Sequence, residues 1–341
     1  MDSEFKAVVV VPTIRESSIR EFLMAWGNEF RDVTLIVVED NPEKSFEISG
    51  GNVEHYSWRD IDDELGENAW IIPRRTDCIR SYGYLKAYQR KPDMIVTLDD
   101  DCLPLDGRVG FLRDHWSRLN HEGVTVAWTS TLEGTVPRGV PYYRKDRKLP
   151  CILNHGLWDS VPDLDAPTQL LQSRYPRDVN WIERTIPLGT YFPMCGMNIA
   201  FRPEVVPAFY FLLMGSSYEY DRFGDIWSGI ILKKIADHLG YCINTGSPAV
   251  THLRASSVWA NLKKEAPGLE ANETLWTVID RVLLTGTSFT ECYKETACGL
   301  NLKGAYWDQL RRAMLLWPDV VAQYGCEEWC TQPVETGALS Q

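Results

Sequence analysis

The chain has 341 residues, 44% hydrophobic and 24% charged, which are proportions of a folded globular protein and not of a disordered one. Its net charge of −12 argues against general nucleic-acid binding, which needs a basic field facing the phosphates, and leaves room for a local basic pocket only. No run of about 18 apolar residues is present to span a bilayer as a helix. The N-terminal MDSEFKAVVVVP reads as free of a secretory signal, and nine cysteines without CxxC spacing suit a reducing cytoplasm. Cys326 and Cys330 form the one close pair, at helical i, i+4 spacing.

In chain order, AVVVVPTI (7–14) is a short β-branched run that predicts a buried strand, and VTLIVVED (33–40) repeats the pattern. Between them SSIREFLMAWGNEF has helical spacing with Ser17 or Ser18 as the expected cap. Strand, helix, strand predicts a βαβ unit and a parallel sheet. DCIRSYGYLKAYQ (77–89) predicts the next helix and MIVTL (94–98) the next strand, which runs straight into Asp99, Asp100 and Asp101. Ligands of such sheets bind beyond the carboxyl ends of the strands. Thr13, Asp40 and the three aspartates are therefore expected in one crevice.

Residues 129–200 are rich in Pro, Gly, Arg and aromatics and predict long loops with short strands that shape a pocket. SGIILKKIADHLGY predicts an amphipathic helix ending before Gly240, Glu273 to about Trp329 predicts helix, and TQPVETGALSQ a frayed tail. The resulting organisation is a catalytic domain over 1–265, a helical region over 266–330 and a disordered tail over 331–341.

Three adjacent carboxylates repel one another unless hydrogen bonds, solvent or a cation offset the charge. One reading is a turn-forming cluster with one carboxylate capping a helix. The other is a hard divalent ion, Mn2+ or Mg2+, which takes oxygen ligands and bridges carboxylates to substrate phosphates. His252, in the strand-like PAVTHLRAS, would complete a carboxylate and imidazole site. Arg74, Arg75 and Arg80 supply cations, of which at least one is expected at a phosphate. No GxGxxG follows the first strand, so a flavin is not expected.

The blocks DDDC, HGLWDSVPDLDAPTQL, TIPLGTYFPMCGMNIAF, GDIWSG and NLKKE resemble the signature segments of the reversibly glycosylated polypeptides, the plant UDP-arabinopyranose mutase family, with bacterial relatives that act on GDP-linked sugars. The match runs from about residue 8 to 265. It implies an α/β fold of the GT-A type, a Rossmann-like mixed sheet flanked by helices, with a C-terminal helical extension. It implies metal ligation by Asp101, with Asp99 as second candidate facing the nucleotide sugar and His252 joining the metal. By the same resemblance Thr13, Arg15, Asp40 and Asp100 belong to the nucleotide site with Arg75 and Arg80. His155, Trp158, Asp163, Asn198 and Lys264 fall in the matching blocks as further substrate-binding candidates. Asp225 in GDIW is expected to hold sugar hydroxyls or exchange protons. The plant pattern carries two acids before the aromatic residue, whereas this chain has Gly224 and then Asp225.

PRGVPYYRKDRK (137–148) matches the family's RGYP, whose arginine becomes glycosylated, at Arg138. A second arginine needed for activity falls at Arg144 by spacing from Arg138, or at Arg147 by spacing back from HGLW. The implied activity is a metal-dependent, flavin-independent mutase that interconverts pyranose and furanose forms of a nucleotide sugar, of the GDP-L-hexose/GDP-fucose or UDP-L-arabinose type. A GT-A glycosyltransferase with an external acceptor and a self-glycosylated scaffold in polysaccharide assembly are the alternatives. The expected partner is a nucleoside-diphosphate sugar, with no nucleic acid and the option of a homo-oligomer.

Overall fold

The computed structural model describes residues 5–48, 52–105, 108–126, 138–141, 146–160, 163–171, 182–253 and 257–324. Its strands are β1 (Ala7–Thr13), β2 (Thr34–Glu39), β3 (Val53–Tyr56), β4 (Met94–Leu98), β5 (Cys102–Pro104), β6 (Gly123–Val126), β7 (Asp146–Leu149), β8 (Cys151–Ser160), β9 (Arg184–Thr185), β10 (Asn198–Phe201) and β11 (Cys242–His252). Its α-helices are α1 (Glu16–Trp26), α2 (Trp58–Leu65), α3 (Arg80–Gln89), α4 (Phe111–Leu119), α5 (Ala166–Leu171), α6 (Gly224–Leu239), α7 (Val258–Asp280), α8 (Phe289–Gly299) and α9 (Ala305–Tyr324).

The main sheet has the order β3-β2-β1-β4-β10-β8-β11-β5, with β9 on β11, and β6 pairs separately with β7. Strands β3, β2, β1 and β4 run parallel, as the βαβ pattern predicts. The sheet then becomes mixed: β10 is antiparallel to both β4 and β8, and β8 is parallel to β11. Strand β1 is buried on both faces. Val8 and Val10 join the core under α3, while Val9 and Val11 join the core of Ile19, Phe22 and Trp26 from α1. This alternation is the period-2 geometry of a strand covered by helices on both sides. Gly83 lets α3 approach: a Cβ there would lie 2.4 Å from Val10 Cγ1.

Three expectations need revision. Helix α1 starts at Glu16 after Arg15, so Ser17 and Ser18 lie in its first turn and neither is the cap. The stretch expected to be mostly loop contains the ten-residue β8 and also β10, both inside the sheet. Their period is obscured by Asn154, His155 and Asn198, polar residues that the fold buries. Helix α7 begins at Val258, well before Glu273, and runs through the expected 265/266 boundary with Pro267 inside it. Helix α6 ends as expected, with Gly240 in the left-handed conformation (φ 80) that closes a helix without side-chain strain. Cys326, Cys330 and the expected tail lie outside the described residues. Among the described residues, no helix is long and apolar enough to cross a membrane.

Candidate active site

A cleft of about 780 Å3 opens beyond the carboxyl ends of β1 and β4, walled by β8, the 192–197 segment, the start of α6 and the N-terminal half of α7. Its size is that of a pocket for a small ligand. The parallel strands deliver Arg15, Asp99 and Asp101 to it. Helix α3 brings Arg80, β11 brings His252 and β8 brings His155 and Trp158.

The acidic triple divides its three carboxylates among three tasks. Asp100 turns into the protein, where it accepts Thr13 Oγ1–H (2.6 Å) and Arg15 Nη2–H (2.6 Å), tying β1 to β4. Thr13 and Asp100 are buried and are not among the residues that line the cleft. Asp99 lines the cleft with its carboxylate ion-paired to Arg80. Asp101 faces the cleft with His252, whose Nε2 lies 3.8 Å from Asp101 Oδ1. Burial, then the adjacent Asp99 charge, pushes the Asp101 carboxyl up to about 6.

Arg80 is buried, and its donors are spent on the protein: Nη1 on Thr97 Oγ1 (2.9 Å) and the Gly196 carbonyl (2.5 Å), Nε on the Asp77 carbonyl (3.1 Å), and Nη2 on Asp99. It therefore fixes the cleft floor by joining α3, β4 and the 196 turn. Asp40 is also occupied. It accepts Trp58 Nε1–H (2.7 Å) and the backbone N–H of Arg75 (3.0 Å) and Thr76 (2.8 Å), and it does not line the cleft. Arg75 does line it, with its guanidinium 5.0 Å from the Trp58 ring centroid.

At the opposite end, Asp225 in the first turn of α6 accepts N–H groups from Gly196 (2.9 Å) and from Ile226 (2.9 Å). Burial, then the charges of Asp77 and Asp163, pushes its carboxyl up to about 8. Donor atoms of Asp163, Cys195 and Asp225 all lie within 4.8 Å of one another. Burial holds the Cys195 thiol well above its ordinary pKa, so it stays protonated and is a poor partner for a hard ion. His155 accepts the Cys195 backbone N–H at Nε2 (3.1 Å), which places its own proton on Nδ1, and burial draws its pKa down to about 4. Its ring meets Trp158 and Phe192 edge-on. This side of the cleft is a neutral aromatic wall.

Lys264 reaches the cleft paired with Asp221 (3.1 Å). Asn198 does not reach it. Fully buried, it donates to the Leu157 (2.8 Å) and Pro248 (3.0 Å) carbonyls and meets His115 Nε2 (3.0 Å), so it joins β10, β8 and β11 as a core residue. Arg138 sits exposed in a turn and Arg147 exposed on β7, and neither lines the cleft. Arg144 lies outside the described residues. The fold adds cleft residues that the sequence reading passed over, chiefly Asp77, Cys195, Arg222 and Glu265. Arg222 donates from Nε to Glu265 (2.9 Å), which in turn accepts the Ala166 N–H (2.7 Å) and so joins α5 and α7. Arg222 stands two residues before GDIW, Glu265 closes NLKKE and Cys195 lies inside TIPLGTYFPMCGMNIAF, whereas Asp77 carries no such signal.

The family model described as reversibly glycosylated polypeptide matches residues 3–324. The chain belongs to that family. It is 36% identical to a probable UDP-arabinopyranose mutase 1 of Pisum sativum over 91% of this chain and 88% of that protein. It is 36% identical to UDP-arabinopyranose mutase 1 of Arabidopsis thaliana over 91% and 90%. A solved mannosyl-3-phosphoglycerate synthase from Rubrobacter xylanophilus aligns over 83% of this chain and 77% of its own at a TM-score of 0.40 and 10% identity.

Within the family motif GDIW, the structure accounts for the glycine. A Cβ on Gly224 would lie 2.4 Å from Cys78 Sγ and 2.5 Å from the Phe211 carbonyl oxygen, so α6 can start against these groups only without a side chain. One carboxylate, Asp225, serves the cleft from this turn.

Proposed function

We propose that this chain is a nucleotide-sugar mutase that interconverts pyranose and furanose rings of a UDP-L-arabinose- or GDP-fucose-type substrate, using Mn2+ or Mg2+ and no flavin. Family membership and relatives named UDP-arabinopyranose mutase support the activity. The observation that carries it is a single cleft with Asp101, His252 and Arg75 at one end and, at the other, the carboxyl of Asp225, whose burial outweighs its hydrogen bonds.

The donor set at the first end fits a divalent ion. Two ligands of an ion with bonds of about 2.1 Å stand roughly 3 to 4.3 Å apart, and Asp101 and His252 are 3.8 Å apart. The raised pKa of the half-buried Asp101 comes from desolvation and the Asp99 charge, which His252 and the Arg15 guanidinium 3.7 Å away only partly offset. Asp99, paired with Arg80, would support these two ligands from behind, and its own ligation is not required, since such ions commonly take few protein ligands plus phosphate oxygens. When bound, the ion would offset charge on the diphosphate as the sugar–phosphate bond breaks.

The chain's own residues supply the rest. Arg75 holds the anionic half of the substrate. His155, Trp158 and Phe192 present neutral surface that limits water at the separated fragments. Asp225, kept protonated at neutral pH, donates a hydrogen bond to a sugar oxygen and can exchange its proton as one hydroxyl replaces another at the anomeric carbon. Holding both fragments in one closed space favours reattachment over escape.

Incubation with UDP-L-arabinose or GDP-fucose and Mn2+, with ring forms resolved by chromatography, tests the reading. A mutase brings the two rings to equilibrium without an acceptor. Hydrolysis alone, or turnover only with an added sugar acceptor, would identify a transferase. A covalent sugar on the intact mass without turnover would identify a scaffold.

A further inference from the structure

We infer that Asp40 is a positioning residue that acts through Arg75, and that Arg75 is the cleft arginine held free for a phosphate of the nucleoside diphosphate. The inference rests on the nucleotide-sugar reading and adds to it the device that aims this cation.

The cations lining the cleft are unequally committed. Arg15 pairs with Asp100 (2.6 Å), Arg80 with Asp99, Arg222 with Glu265 (2.9 Å) and Lys264 with Asp221 (3.1 Å). Among the described residues, no carboxylate lies within ion-pair reach of the Arg75 guanidinium. In an acidic cleft, a cation without an internal partner is the one free to take an anion from outside, and the fork of a guanidinium suits phosphate oxygens.

Arg75 is held in this state by its backbone. Its φ is 62°, the left-handed region that favours glycine, and a residue with a side chain stays there only when its surroundings over-determine it. Asp40 provides that constraint. Its buried carboxylate accepts the Arg75 N–H (3.0 Å) and the Thr76 N–H (2.8 Å), while Trp58 Nε1–H (2.7 Å) locks it from the other side.

The same Trp58 ring lies under the Arg75 guanidinium at 5.0 Å, so one indole both anchors the carboxylate and supports the cation. The neighbouring Arg74 shows what the turn accomplishes. Its guanidinium, 5.8 Å from the same Trp58 ring, pairs with Asp62 (2.8 Å) and does not line the cleft, whereas that of Arg75, one residue on, has no such partner and does.

The test is titration calorimetry on the full chain with UDP, GDP and inorganic pyrophosphate, in Mn2+ and again in EDTA. Arg75→Gly deletes the guanidinium while suiting the positive φ, so its melting temperature should hold or rise. We expect the diphosphate that binds the wild type to bind this variant roughly tenfold to a hundredfold more weakly, the worth of a charge-assisted hydrogen bond or two. Pyrophosphate should weaken by the same factor, with or without Mn2+. Asp40→Asn should reproduce part of both losses, because an amide cannot accept from all three N–H groups. Trp58→Phe keeps the ring and should lose less.

Wild-type affinity in Arg75→Gly would overturn the inference. So would an Asp40→Asn variant that weakens the nucleotide but not pyrophosphate, since that pattern means contact with base or ribose. A wild type that binds neither diphosphate would overturn the nucleotide-sugar reading itself and this inference with it.

Discussion

At the β4 end of the cleft three aspartates stand side by side, and each lies within ion-pair reach of an arginine: Asp100 (2.6 Å) and, more loosely, Asp101 (3.7 Å) meet Arg15, and Asp99 meets Arg80. At the α6 end Asp77, Asp163 and Asp225 also gather, but the cation that favours the Asp225 charge, Arg80, has its donors spent on Asp99, Thr97 and backbone carbonyls. The outcomes differ accordingly. The first end leaves one carboxyl, Asp101, at about 6, and the second raises Asp225 to about 8. A carboxyl that titrates near 6 is mostly ionised at neutral pH and attracts a cation, whereas one near 8 is mostly protonated and can donate a proton. One chain thus holds the same residue type in two different states of protonation within a single cleft.

The largest expected effect breaks the first end. Asp101→Asn removes the ionised carboxylate proposed to hold the divalent ion, and activity should fall about a hundredfold or more while the fold persists. EDTA should act on the wild type in the same direction, with recovery on adding Mn2+ or Mg2+. Full turnover in chelator would remove the metal from the mechanism.

Next is the pairing that distinguishes the two ends. Arg80→Met leaves Asp99 without its cation and empties the bonds to Thr97 and Gly196, so unfolding stability should drop by about 3 kcal/mol, the lower range for breaking a buried pair because Asp99 is partly solvated. Asp99→Asn keeps an acceptor for Arg80 and should drop by about 1 kcal/mol. Urea melts of the two variants would check the order, and equal losses would show that the charge on Asp99 carries the floor of the cleft.

The sequence made one end far more legible than the other. Runs such as AVVVV and MIVTL disclose buried parallel strands because such strands are apolar throughout, and a strand end in this fold class is also a site, so Asp99, Asp101 and the crevice could be placed from pattern alone, and Arg15 from the family resemblance. What pattern could not disclose is which way each side chain turns. Thr13 and Asp100 turn inward, and Asp40 is consumed by Trp58 and the 75–76 backbone. The α6 end was less legible still. Asp77, Asp225 and Glu265 meet only after β8, β10 and β11 assemble around buried polar residues, and Asn154, His155 and Asn198 interrupt the period that would have announced those strands.

A smaller effect sharpens the comparison from the α6 side. Gly224→Ala should cost about 1 to 3 kcal/mol by overpacking, since the new Cβ meets Cys78 Sγ at 2.4 Å and the Phe211 carbonyl at 2.5 Å. Adding Cys78→Ala should recover only part of that loss, because the carbonyl belongs to the backbone and cannot retreat. Full recovery would show that the thiol alone sets the glycine requirement. No loss in the single variant would show that the turn has room for a second acid.

The smallest effect is a slope, and it bears directly on why the two ends differ. The Asp225 carboxyl titrates near 3.8 when exposed in the unfolded chain and near 8 in the fold. Between those values the folded chain keeps a proton that the unfolded chain has released, so this group's contribution to stability is full below about 3.8 and declines as pH rises, until the folded carboxyl is itself ionised above about 8. Asp101 adds a decline of the same sign that ends near 6, so the window from 6 to 8 belongs to Asp225. Asp225→Asn removes the titration without removing the acceptor oxygen that one backbone N–H needs. Its stability should therefore fall less steeply than that of the wild type between pH 6 and 8, and the gap between the two chains should shift in favour of the variant across that window. Urea unfolding at several pH values reads this difference directly. Parallel curves would mean that Asp225 is ionised in the folded protein and that the α6 end, like the β4 end, presents a carboxylate and not an acid to the sugar.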